Sequence, residues 1–154
     1  MKPGVFTQLY IQLIFSPRYH EALFRKEHKQ QLWPYIGKTV SNLGNKSIIV
    51  NGMADHVHIL LGLNPKISIS DLVRDLKRSS SHWINRQKWF RGSFAWQDGY
   101  GAFSYGQSQL NDVYKYVLNQ EGHHKKRSFK EEYMGLLRLF DVEFAEQYLF
   151  EFFL

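Results

Sequence analysis

The chain has 154 residues, 44% hydrophobic and 16% aromatic, with 20 Lys and Arg against 14 Asp and Glu, a net charge of +6 and no cysteine. That length suits one domain with one core, spanning residues 1–154, and the composition excludes disorder and any apolar run near the roughly 18 residues of a membrane span. The lack of cysteine excludes disulfides, thiolate catalysis and Cys-based zinc sites, while the positive balance suits a polyanionic partner.

The start, Met1-Lys2-Pro3-Gly4, lacks the apolar core of a signal peptide, so the cytoplasm is the expected location. Residues 5–15, rich in β-branched and aromatic types and closed by Pro17, predict a first strand. Leu32, Trp33, Ile36, Val40 and Leu43 fall at helical spacing, which predicts a first helix within residues 23–43, ending at Gly44; Pro34 either kinks it or marks its start. Residues 46–53 and 55–63 are two strand-like runs with almost nothing between them, the pattern of a hairpin. Ser68 or Ser70 can cap a second helix carrying Leu72, Val73, Leu76, Trp83 and Ile84. Residues 93–97 and 100–105 flank Asp98-Gly99, a dipeptide suited to tight turns, and predict a return to strand. A third helix is expected from about Ser108 to His124 and a further one near Phe129–Phe140, followed by an apolar tail through Leu154 that either packs back or forms a subunit interface.

The order β-α-β-β-α-β defines an α+β, ferredoxin-like (split βαβ) antiparallel sheet with helices on one face, its first and third strands central, plus a C-terminal helix. On the third strand, alternation turns His56 and His58 to one side. Two imidazoles from one strand can hold a divalent metal and leave coordination positions for other groups. The same alternation also arises by chance on an amphipathic strand. Tyr116 and Gln120, four apart in the third helix, share a face; an amide oxygen is an acceptable ligand for a hard cation and a phenol can act as a nucleophile. Taken alone, the pair is better read as a tyrosine half-buried at an interface and a solvated helix glutamine. His123 and His124 follow Gln120 too closely to share its geometry and read as phosphate or surface groups.

Three stretches together, Asp55-His56-Val57-His58, Trp96 to Ser104, and Tyr116-Val117-Leu118-Asn119-Gln120-Glu121-Gly122-His123-His124, resemble the HUH-type single-tyrosine transposases of the smallest bacterial insertion sequences. The resemblance covers nearly the whole chain. It implies His56, His58 and Gln120 as metal ligands, Tyr116 as nucleophile, and Mg²⁺ or Mn²⁺ as cofactor. It also implies a homodimer, in which the tyrosine helix can complete the partner's site, and single-stranded DNA with hairpin ends as substrate, cut through a 5′-phosphotyrosine. Arg74, Lys77, Arg78, Lys125, Lys126 and Arg127 are candidates to hold the DNA backbone, and Tyr100 to stack on bases, whereas Phe103 reads as core.

Three other readings compete: a domesticated relative that processes repetitive hairpins, a non-catalytic module that binds single-stranded nucleic acid, and a metal-dependent nuclease using water.

Overall fold

Four strands run in the order β2-β3-β1-β4, every neighbouring pair antiparallel: β1 Tyr10–Phe15, β2 Lys46–Met53, β3 His56–Gly62 and β4 Gly101–Tyr105. The structure, a computed structural model, describes residues 2–154. Among the described residues five α-helices accompany the sheet: α1 Lys26–Asn42, α2 Ile69–Gln87, α3 Leu110–Leu118, α4 Gln120–His124 and α5 Phe129–Leu139. This is the ferredoxin-like arrangement, with β1 and β3 central.

Alternation decides which residues meet which helices. Val57, Ile59 and Leu61 of β3 and Leu13 and Phe15 of β1 join Leu32 and Ile36 of α1 and Leu72 and Leu76 of α2 in the main core. The other face of β3 carries His56, His58 and Leu60, and Leu60 packs on Val113 and Val117 of α3. Both histidines are fully buried between the sheet and the C-terminal helices. The hairpin that carries them is tight: a Cβ on Gly52 would lie 2.2 Å from the carbonyl oxygen of His56, so no side chain fits there. Gly101 is similarly constrained, because a Cβ would come within 2.8 Å of the Tyr133 ring.

Several boundaries differ from the sequence reading. β1 begins at Tyr10 because its partners end there, at Gly62 and Tyr105, and Phe6 lies 84% exposed beyond the sheet. Pro34 lies inside α1, and the carbonyl it leaves without a donor, on Gln30, belongs to an exposed residue. Ser68, not Ser70, caps α2 by accepting from the Asp71 amide at 3.1 Å. Residues 93–97 do not pair with β4. They cross Ser16–Arg18 instead: the Gln97 amide donates to the Ser16 carbonyl at 2.8 Å and the Arg18 amide to the Ala95 carbonyl at 2.9 Å. Phe94 and Trp96 are thereby buried against each other and Phe24.

The apolar tail divides. Phe150 is buried, and Phe140, Leu149 and Phe152 pack on the core, while Phe144, Tyr148 and Leu154 are exposed. Gln97 fixes its path, donating to the Glu151 carbonyl and accepting from the Glu151 amide, each at 2.8 Å. No helix among the described residues is long and apolar enough to cross a membrane.

Candidate active site

Each histidine at the site has one ring nitrogen tied to an oxygen that can only accept. His56 Nδ1 donates to Asp55 Oδ1 at 2.7 Å, and His58 Nδ1 to Gln12 Oε1 at 2.6 Å. The Gln12 amide is itself oriented by donating to the Tyr105 hydroxyl at 2.6 Å. These partners place the proton on Nδ1 and leave Nε2 as the nitrogen facing inward, the arrangement that orients metal-ligating histidines. A third imidazole follows the same rule: His124 Nδ1 donates to the Arg127 carbonyl at 3.0 Å.

All three Nε2 atoms converge on one carboxylate oxygen, Glu132 Oε1, at 3.3 Å from His56, 3.2 Å from His58 and 3.0 Å from His124. Gln120 is fully buried beside them, with its Oε1 3.0 Å from His56 Nε2 and its Nε2 donating to Glu132 Oε2 at 3.2 Å. Nitrogen lone pairs and a carboxylate held this close repel unless a cation lies among them, so the cluster is built to hold protons or a metal. His56, His58 and Glu132 offer donor atoms within 4.8 Å of one another, which fits a divalent ion.

Glu132 escaped the sequence reading, as did the inward position of His124. The available signal was a charge on an apolar face: Phe129, Tyr133, Leu136 and Leu137 form the buried stripe of α5, and Glu132 lies within it, fully buried.

The electrostatics follow from burial and this carboxylate. Burial alone would lower the His56 pKa, but the carboxylates of Asp55 and Glu132 more than offset it and raise it to about 9. Burial wins at His58, whose pKa stays below its ordinary value despite Glu132, with the neighbouring imidazoles adding to the depression. Glu132, which burial would push up, is held well below the usual carboxylate range by the three imidazoles of His124, His56 and His58 that surround it. In the metal-free protein, the His56 proton contributes stability that is fully present below about pH 6.5 and is lost as pH rises through about 9, on the order of 3 kcal/mol. His58 acts with the opposite sign below about pH 6.5, where its unfolded form takes up a proton first. Thermal unfolding with a chelator present is therefore expected to peak near pH 6.5 and decline toward pH 9, and His56→Gln should flatten the alkaline decline.

Tyr116 reaches the same carboxylate from the other side. Its hydroxyl donates to Glu132 Oε2, and Arg127 Nη2 donates to the phenol oxygen at 3.2 Å. Burial and the charge of Glu132 push the phenol well above its ordinary pKa, and Arg127 opposes them. The ring stacks on His123 at 4.5 Å. Tyr116 and Gln120 do not share one unbroken helix: Asn119, at φ −95° and ψ 35°, separates α3 from α4. The break frees carbonyls at the end of α3, and Asn51 of β2 donates to those of Val117 and Leu118 at 2.9 and 3.0 Å. Asn51→Ala is expected to lower stability by about 1–2 kcal/mol, read as a shifted urea midpoint with an unchanged slope.

The basic residues proposed for DNA contact have different environments. Arg78, Lys125 and Lys126 are exposed. Arg74 is exposed but paired with Asp71 at 3.1 Å and Asp75 at 3.2 Å. Lys77 is directed inward, donating to the carbonyls of Gln97 at 2.7 Å and Gly99 at 2.6 Å, and burial lowers its pKa to about 8. Arg127 turns toward Tyr116. Phe103 is buried as expected, and Tyr100 is exposed.

The fold is one that solved transposases share. It resembles a chain of Deinococcus radiodurans R1 assigned as a transposase, with a TM-score of 0.61 and 23% identity over 78% of this chain and 96% of that one. It also resembles the REP-associated tyrosine transposase bound to a REP hairpin, with a TM-score of 0.58 and 12% identity over 80% of this chain and 74% of that one. Residues 5–120 match the family model of IS200-like transposases, and the chain belongs to that family. Among its relatives, the transposase of insertion sequence IS200 from Salmonella typhimurium LT2 is 26% identical over 116 residues, 71% of this chain and 76% of the relative. The ISDra2 transposase TnpA of Deinococcus radiodurans is 25% identical over 124 residues, 76% of this chain and 87% of the relative.

Proposed function

We propose that this transposase cuts and rejoins single-stranded DNA at hairpin-bearing ends through a covalent intermediate on Tyr116. The observation that carries the reading is the shared carboxylate: one oxygen of Glu132 faces three imidazole nitrogens and the other accepts from the Tyr116 hydroxyl. In the forward step Tyr116 Oη bonds to phosphorus as the P–O3′ bond breaks, giving a 5′-phosphotyrosine and a free 3′-OH. Glu132 Oε2 accepts from the hydroxyl and fixes the phenol oxygen, and Arg127 is placed to stabilise that oxygen as it gains charge. The proton the phenol gives up to water is matched by one that the leaving O3′ takes from water. The ester conserves the phosphodiester energy, so a 3′-OH can attack it and release Tyr116 without external energy.

His56 and His58 would hold the metal with Gln120, whose Oε1 lies 3.0 Å from His56 Nε2, and Glu132 is a further donor to the same ion. A bound Mg²⁺ or Mn²⁺ would draw charge from the scissile phosphate and orient it. Exposed Arg78, Lys125 and Lys126 are suited to backbone phosphates, and their contribution should fall with salt. The hairpin substrate gains support from the REP hairpin in the complex of one solved transposase of this fold. A single catalytic domain, a cytoplasmic location and a homodimer belong to the same proposal. Within one chain Tyr116 lies at its own histidines, so a partner's site would be completed by exchanging α3.

The deciding experiment incubates the protein with labelled single-stranded DNA carrying hairpin ends, with and without Mg²⁺ or Mn²⁺, and resolves the products by denaturing electrophoresis. A metal-dependent protein–DNA adduct is expected. Cleavage without an adduct would assign the chemistry to a water-using nuclease, and binding with neither would leave a non-catalytic module.

A further inference from the structure

We propose that His124 is a further protein donor to the metal, adding a third imidazole to His56, His58 and Glu132. This rests on the metal reading above and extends it to a residue that lies outside the His-x-His pair.

The first support is the matching second contact. His56, His58 and His124 each spend Nδ1 on a fixed oxygen, from Asp55, Gln12 and the Arg127 backbone respectively. In each case Nε2 is the nitrogen that remains for a cation. The contact fixes the His124 ring with Nε2 turned inward, and the side chain is only 8% exposed.

The second is convergence. His124 Nε2 lies 3.0 Å from Glu132 Oε1, nearer than the Nε2 of either histidine of β3, and its ring centroid is 4.7 Å from that of His56. It meets the His56–His58–Glu132 set, whose donors lie within 4.8 Å of one another, through this carboxylate oxygen rather than as a member of it. Its neighbour His123 provides the contrast. That ring stacks on Tyr116, and its Nε2 is buried with no hydrogen-bond partner.

The chain geometry explains how a residue so close to Gln120 reaches the site. The helix breaks at Asn119, α4 lasts only from Gln120 to His124, and the turn that follows brings the Arg127 carbonyl back under the ring. Gln120 enters the cluster from the start of this short helix and His124 from its end. Three borderline nitrogen donors and one carboxylate favour first-row transition ions such as Mn²⁺, Co²⁺ or Zn²⁺ over Mg²⁺, which prefers oxygen.

The test is Co²⁺ binding to the purified chain, followed by calorimetry and visible absorption, for wild type, His124→Ala, His124→Gln and His123→Ala. Loss of His124 is expected to weaken Co²⁺ binding by roughly 10- to 100-fold and change the absorption envelope, with His123→Ala within about twofold of wild type. Pulsed electron paramagnetic resonance of the Mn²⁺-loaded wild type should count three coordinated imidazoles, a readout that needs no variant to fold. Equal Co²⁺ affinity in wild type and both His124 variants, or a count of two imidazoles, overturns the assignment while the His56–His58 site stands. A wild type that binds neither ion overturns the metal reading itself, and this assignment with it.

Discussion

Tyr116→Phe is expected to abolish the protein–DNA adduct, reducing strand cleavage by at least about three orders of magnitude, while binding to the same hairpin DNA stays within about twofold of wild type. The substitution removes one oxygen. That oxygen is the only atom of the side chain able to bond to phosphorus, and the ring that packs on His123 is retained. The fold should lose little. Glu132 Oε2 keeps its hydrogen bond from Gln120 Nε2 at 3.2 Å, and Arg127 gives up one neutral acceptor, a cost of about 1 kcal/mol. Circular dichroism and a thermal melt close to wild type, with no adduct on the denaturing gel, would place the loss in chemistry. An adduct that persists in Tyr116→Phe would remove Tyr116 from the mechanism; exposed Tyr114 then becomes the tyrosine to substitute.

The second large effect is expected at Glu132. Glu132→Gln keeps the volume and an acceptor but removes the negative charge on which three imidazoles and the Tyr116 hydroxyl converge. Divalent-ion affinity should fall by roughly 10- to 100-fold or more, and cleavage with it when the metal is limiting. The metal-free protein should also change its pH response. Without the carboxylate, His56 loses one of the two charges that raise its pKa to about 9, so the decline in stability above pH 6.5 becomes shallower. Glu132→Ala is the harsher variant. It leaves a cavity among buried histidines and should cost about 3–5 kcal/mol near neutral pH, where the His56 proton is still present. Calorimetric titration with Mn²⁺ and melts at two pH values separate the two variants. Unchanged Mn²⁺ affinity in Glu132→Gln would exclude this carboxylate from the metal site.

The sheet was legible because residues 69–87 keep a helical period, whereas residues 46–63 are two short runs rich in β-branched and aliphatic residues, separated by the turn at Ala54-Asp55. Those runs are too short for helices, even though β2 shifts register between Ser47 and Ile49. Residues 93–97 were misread because a strand-like composition does not reveal its partner. Phe94 and Trp96 are apolar to fill the space beside Phe24 rather than to extend a hairpin, although Gly99 does make the expected turn at φ 85°. The third helix looked continuous because a break at Asn119 requires no glycine or proline, only a carbonyl-capping side chain that arrives from Asn51, far away in the sequence. His56, His58, Tyr116 and Gln120 were visible as spacing. Glu132 was hidden for the reason it matters: its partners lie up to 76 residues distant, and in sequence it is one of several charges on its helix, beside Glu131, distinguished only by falling on the buried stripe.

The hairpin turn before His56 carries a consequence for how copies of such a gene decay. Glycine is encoded only by codons beginning GG, and any missense change of one base at codon 52 adds a side chain where the carbonyl oxygen of His56 already lies. The new atoms must displace the strand that presents both histidines. A population of drifting copies would therefore be expected to include alleles changed at position 52 with every chemical residue intact, silent because the two rings no longer point at one place.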